Sequence, residues 1–227
     1  MKRLLLISIL MSALFSMAAC GEGGEQPSDP GQTETPQTPD NDDNTVGPGG
    51  NGRCVVLYAS RSGNTERVAQ SIGGMLEGDL LRIEPATPYE SDYGAMLERA
   101  QEELAAIRRG NYPPAGTTVE SLDAYDIVFV GYPVWYGSMA TPMQAFLHEH
   151  ADKLAGKRVA LFATSGSSGI AGSVGEARAL CPEATFVEPA LLLTSSGLAQ
   201  TENRVAAWLE QIGILSNGER LVKTERE

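Results

Sequence analysis

The stretch Cys54-Val55-Val56-Leu57-Tyr58-Ala59-Ser60-Arg61-Ser62-Gly63-Asn64-Thr65 decides the fold. Its first half is a continuous apolar run, the pattern of a strand buried on both faces. Its second half sets hydroxyl and amide side chains around one glycine and leads into Val68, Ile72, Met75 and Leu76 at helical spacing. A strand that turns this way into a helix leaves backbone N–H groups unpaired at the helix start, where the helix dipole favours an anion. Ser60, Ser62 and Thr65 add hydroxyls, Asn64 adds an amide, and Gly63 permits the tight turn. Arg61 either neutralises the anion or points to solvent and leaves the work to the backbone. The loop reads as a phosphate cradle built mainly of neutral donors.

Outward from this stretch, strand and helix patterns alternate. Apolar runs predict further strands at residues 79–84, 127–130, 158–163 and 185–193. Helical spacing predicts helices at 64–77, 174–180 and 201–212, and a long amphipathic one at 91–109 carrying Tyr93, Met96, Leu97, Ala100, Leu104 and Ile107 on one face. Thr141-Pro142 reads as cap and first-turn proline of another, with Met143, Phe146 and Leu147 inward. Five strands alternating with helices predict an open parallel sheet covered on both sides. Ligands of such sheets bind beyond the carboxyl ends of the strands, at the topological switch point. The loops after the first, third and fourth strands are therefore where chemistry is sought.

After the third strand comes Gly131-Tyr132-Pro133-Val134-Trp135-Tyr136-Gly137-Ser138-Met139. Trp135 and Tyr136 either stack on a flat ligand, worth roughly 0.5–1.5 kcal/mol beyond area burial, or pack under the following helix. Gly131 and Gly137 let the backbone approach a ligand. After the fourth strand, the glycines and hydroxyls of residues 164–173 suit a ligand's polar edge, and equally suit a simple connection. No G-x-x-x-x-G-K-[ST], no G-x-G-x-x-G after the first strand and no G-x-S-x-G occurs, which disfavours an ATPase loop, a dinucleotide site and a serine hydrolase. His148 and His150 lie two apart on a helix, point to different faces and read as solvated, so no metal site is expected.

The loop at 60–65 resembles the T/S-x-T/S-G-x-T phosphate loop of flavodoxins, and the likeness runs over residues 53–215. It implies a flavodoxin-like doubly wound sheet of five parallel strands in the order 2-1-3-4-5, helices on both faces, and FMN as cofactor. Carried over residue by residue, Ser60, Arg61, Ser62, Gly63, Asn64 and Thr65 would hold the phosphate. Pro133, Val134, Trp135, Tyr136, Gly137 and Ser138 would wrap the isoalloxazine ring, and Ser165, Gly166, Ser168 and Gly169 would meet its pyrimidine end. Pro88-Tyr89-Glu90-Ser91-Asp92-Tyr93 before a long helix resembles a branch of small bacterial flavodoxin-like lipoproteins. The third-strand loop also echoes the P-T-R-[FY]-G-x loop of flavodoxin-like quinone reductases, but Val134 and Trp135 stand where those have threonine and arginine.

The N-terminus reads as an address. Lys2 and Arg3 precede a short apolar run at 4–14, and Met17-Ala18-Ala19-Cys20 resembles a bacterial lipobox. Residues 1–19 are expected to be a signal peptide and Cys20 to carry a lipid. Residues 20–52 are rich in glycine, proline and acids, without Lys or Arg, and are expected to be a disordered acidic tether. A flavodoxin-like domain at 53–215 and a charged tail at 216–227 follow. Without Lys2 and Arg3 the chain carries 15 basic and 29 acidic residues, which disfavours nucleic acid as a partner. An exported protein could pair Cys54 with Cys181, although neither spacing nor a redox motif argues for it.

The expected function is an FMN-binding electron-transfer protein, extracytoplasmic and lipid-anchored to a bacterial membrane. Its redox partner would be a membrane quinone or another exported redox protein. An FMN-dependent quinone or nitro reductase and a cofactor-free binding domain of the same fold stay open beside it. Residues 131–141 and 164–175 contain no Asp or Glu, which predicts a flavin potential less negative than in flavodoxins with acidic loops.

Overall fold

The computed structural model describes residues 54–215. The chain forms β1 (Cys54–Tyr58), α1 (Asn64–Leu76), β2 (Asp79–Arg82), α2 (Tyr93–Ile107), β3 (Ile127–Trp135), β4 (Ser138–Met139), α3 (Thr141–Glu149), β5 (Arg158–Ser165), α4 (Ala171–Leu180), β6 (Thr185–Thr194) and α5 (Thr201–Gln211). The five principal strands pair in parallel in the order β2-β1-β3-β5-β6, which is the 2-1-3-4-5 order expected; β4 adds a short antiparallel pairing with β3. The chain leaves β1 toward β2 and returns to β3 on the other side of β1. The switch point, with its open crevice, therefore lies at the carboxyl ends of β1 and β3.

Every residue of β1 is buried because the sheet is covered on both sides. On one side Val56, Phe129 and Phe162 meet Val68 and Ile72 of α1 and Val205, Trp208 and Leu209 of α5. On the other, Val55, Val128 and Leu161 meet Met143, Phe146 and Leu147 of α3 and Ala177 of α4. Burying each such side chain is worth roughly 1.5–3 kcal/mol. Cys54 belongs to the first cluster and Cys181 to the second, so the sheet separates two free thiols. Burial pushes the Cys54 thiol up to about 11, helped by Asp79, and the Cys181 thiol up to about 12. Neither is a nucleophile at neutral pH.

Four local expectations are corrected. The α2 stripe is Met96, Ala100, Leu104 and Ile107; Tyr93 is 67% exposed, because Asp92 caps the helix there, accepting from the Ala95 N–H at 2.8 Å. Ala140, not Thr141, occupies the cap of α3, and the Thr141 hydroxyl is engaged elsewhere. β3 runs on to Trp135 and enters β4 through Tyr136 (φ 51°) and Gly137 (φ 79°). Two consecutive positive φ angles give the hairpin turn whose twist matches the strands it joins. His148 is exposed as expected, though stacked on Tyr112 at 3.9 Å, whereas His150 is half-buried against Phe146 and accepts from the Val119 N–H at 3.3 Å.

The signal segment, Cys20, the tether and the charged tail lie outside the described residues. Among those described, no helix is long and apolar enough to cross a membrane.

Candidate cofactor-binding site

Gly63 precedes α1 with φ 81°, and a Cβ there would meet nothing within 4 Å. Conformation, not space, requires glycine at this turn. Its carbonyl accepts from the Arg67 N–H at 3.0 Å, and Ser60 Oγ accepts from the Glu66 N–H at 3.3 Å. The N–H groups of Asn64 and Thr65 begin the helix and have no intrahelical acceptor. Ser62 is exposed and Asn64 half-buried at the rim. Thr65 is only 1% exposed, and its hydroxyl shares a 2.8 Å hydrogen bond with that of Thr164. Thr65 thus ties the loop to the end of β5, with its backbone rather than its side chain turned to an anion.

The cations nearby are engaged. Arg61 donates from Nη2 to the carbonyls of Glu90 and Ser91 at 3.0 and 3.3 Å. Arg82 donates to the Ser60 carbonyl at 2.7 Å and pairs with Glu66 at 3.0 Å and with Glu84. It braces the loop from the end of β2 and lines the same cleft.

The β3–β4 hairpin forms the next wall. Pro133 stands in register with Thr164, Val134 pairs with Met139, and Trp135 pairs with Ser138. Ser138 is therefore buried in the hairpin, while Tyr136, 49% exposed, and Gly137 form its tip. Trp135 is half-buried and packs at right angles to Tyr89, centroids 5.4 Å apart at 89°. Ser60, Arg61, Pro133 and Trp135 line an open cleft, closed on the far side by Pro88 and Tyr89 from the segment after β2. Gly131 does not serve ligand approach. A Cβ there would lie 2.0 Å from Phe162 Cζ, so the core ring sets this glycine.

Ser165 donates its hydroxyl to the Ser168 carbonyl at 2.7 Å, folding the third loop on itself. Gly166 and Gly169 are exposed with open space around them. A Cβ at Gly172 would stand 3.1 Å from the Gly137 carbonyl, so the start of α4 meets the hairpin tip. These residues do not line the cleft but border the hairpin from the β5 side. The acid-free loops are not free of acid in space: Glu176 of α4 accepts from the Met139 N–H at 2.7 Å. Tyr132 is fully buried, and burial pushes its phenol up to about 12. Its hydroxyl faces Ser173, whose own hydroxyl goes to the Ile170 carbonyl at 2.9 Å. No cluster able to hold a metal exists among the described residues.

Sequence reasoning missed Tyr89, Glu103 and Glu176. Pro88 to Tyr93 stood only as a mark of resemblance, and Glu103, at the edge of the apolar stripe beside Met96 and Ile107, was not singled out. A turn proline before a tyrosine, followed by an Arg99/Glu103 pair one helical turn apart, was the available signal.

A flavodoxin family model matches residues 53–212. A protein of Bacteroides eggerthii classed as a flavoprotein is 32% identical over 73% of this chain and all of its own, with a TM-score of 0.61. A second, from Bacteroides uniformis, is 26% identical over 70% of this chain and 98% of its own, with a TM-score of 0.58. A flavoprotein of Lactobacillus acidophilus, solved in complex with FMN, shares the fold at 21% identity and a TM-score of 0.52, over 65% of this chain and 96% of its own. No curated protein matches. With the family model spanning the whole described sheet and its phosphate-type loop at the switch point, the chain belongs to the flavodoxin family.

Proposed function

We propose that this protein binds FMN and transfers electrons outside the cytoplasm, held to a bacterial membrane through Cys20. One observation carries the reading: the loop that opens α1 contributes Ser60 and Arg61 to the cleft that Trp135 lines, at the switch point of the sheet. That donor set fits a phosphate, and a half-buried indole beside it fits a flat ring. The FMN complex of the Lactobacillus acidophilus relative, which has the same fold, supports the choice of flavin.

FMN supplies the redox chemistry when bound. The chain's part is to hold and tune it. Asn64, Thr65 and Ser62 would take the phosphate, and Trp135 would stack on the ring. Carrier is favoured over reductase because the polar groups beside the cleft are already committed. The Tyr89 hydroxyl donates to Glu103 beside Thr141, and both described thiols are buried. The redox partner would be a membrane quinone or a neighbouring exported protein.

The test is direct. Purified full-length protein should take up FMN with a changed visible spectrum, and after dithionite reduction should pass electrons to a soluble quinone faster than free FMN does. A chain that leaves the FMN spectrum unchanged refutes the flavin reading; steady turnover with NAD(P)H would make it a reductase. Glu176 gives a second check. Its carboxylate disfavours negative charge on reduced cofactor, so Glu176→Gln should raise the midpoint potential by roughly 20 mV, about 1 kcal/mol for a two-electron couple. A potential that stays put or falls places Glu176 outside the electrostatic reach of the ring.

A further inference from the structure

We propose that Tyr89 is a positioning residue that fixes the orientation of Trp135 against the flavin ring. The proposal rests on the FMN reading above.

Tyr89 lies in a segment that is otherwise largely exposed, yet it is held from four directions. Its ring receives the Arg99 guanidinium at 4.2 Å and meets Trp135 at right angles, 5.4 Å away. Its hydroxyl donates to the Glu103 carboxylate and stands 2.5 Å from the Thr141 hydroxyl. Thr141 donates in turn to Glu103 Oε2 at 2.5 Å. Arg99 closes the network, donating to Glu103 Oε1 at 2.8 Å and to the carbonyls of Pro88 and Thr87 at 2.9 Å each. The Glu103 side chain is only 15% exposed, so these bonds form away from full solvent screening.

The geometry serves the hairpin. Trp135 is the last residue of β3, and Thr141 is the first of α3, just beyond β4. Tyr89 grips the hairpin's incoming strand through its ring and its outgoing end through its hydroxyl. An apolar side chain would fill the same space, but it could not donate to Glu103 beside Thr141. Edge-to-face contact fixes angle as well as distance, since the ring quadrupole disfavours other arrangements. With Tyr89 held against it at right angles, Trp135 keeps one plane, and a stacking surface that is already oriented loses less freedom on binding.

The chain has two tryptophans, so 5-fluorotryptophan labelling of the full-length protein gives two fluorine resonances, assigned with Trp135→Phe. Trp208, packed against Phe129 at 5.8 Å on the far side of the fold, is the internal reference. Without FMN, Tyr89→Leu should move or broaden the Trp135 resonance and leave that of Trp208 in place. The same variant should bind FMN about two- to tenfold more weakly. Tyr89→Phe keeps the ring and loses the hydroxyl with its bond to Glu103; it should give a smaller change in both readouts, and it carries the test if Tyr89→Leu does not fold. An unmoved Trp135 resonance overturns the proposal, as does a moved resonance with unchanged FMN affinity. If the wild-type chain takes up no FMN, the flavin reading fails, and with it the purpose assigned to Tyr89. The ligand-free resonances still report separately whether Tyr89 orients Trp135.

Discussion

FMN should bind at least about 100-fold more tightly than riboflavin, which differs from it only by the phosphate. Two charge-assisted hydrogen bonds from the Asn64 and Thr65 N–H groups, at about 1.5–3 kcal/mol each, already reach that ratio. The helix dipole and the hydroxyl of Ser62 add to it. The cations add little. Arg61 holds the carbonyls of Glu90 and Ser91, and Arg82 is occupied by Ser60, Glu66 and Glu84. Raising the salt should therefore narrow the ratio only slightly, since fixed dipoles close to the anion are screened less than mobile surface charges. Arg61→Ala should cost less than about tenfold, within the range of one exposed ion pair. Flavin-fluorescence titrations at two ionic strengths read all three. Equal affinity for the two flavins would show that α1 does not hold the phosphate.

The fold was legible because its signals are local. β1 is apolar throughout since both its faces are buried, and the loop that follows needs a glycine at φ 81° and donors at a helix start. Both leave their mark in adjacent residues. What was not legible depends on partners distant in sequence. Gly131 looked like a glycine for ligand approach, but Phe162, on the neighbouring strand, sets it. The two flanking loops contain no acid, yet Glu176 reaches Met139 from α4, 37 residues away in sequence. Thr65 looked like a phosphate donor, and its hydroxyl spans 99 residues to Thr164. Tyr89 depends on Arg99, Glu103, Trp135 and Thr141 together, and no single window of the sequence contains that set. The phosphate loop is a local device; the ring's surroundings are a tertiary one.

Gly131→Ala should destabilise the protein by about 3 kcal/mol, the upper part of the range for overpacking a filled core. The added methyl would fall 2.0, 2.2 and 2.6 Å from Phe162 Cζ, Cε2 and Cε1, far inside contact distance. Neither side can yield easily. Gly131 is locked in register between Tyr58 of β1 and Phe162 of β5, and the Phe162 ring is fully buried. Phe162→Ala alone should cost about 3–5 kcal/mol through the cavity it leaves. The double variant should be less destabilised than the sum of the two, because the methyl then enters the vacated space. Urea unfolding midpoints of the four proteins give the coupling. The same variant separates two meanings of this glycine. The Gly131 carbonyl accepts from the Ala59 N–H at 2.9 Å, one residue before the phosphate loop, so a displaced strand end should also weaken FMN binding. Removing Phe162 should then restore part of that binding along with stability. A Gly131→Ala protein of unchanged stability that nevertheless binds FMN poorly would instead return the glycine to the cofactor, as a residue kept small for the ring rather than for the core.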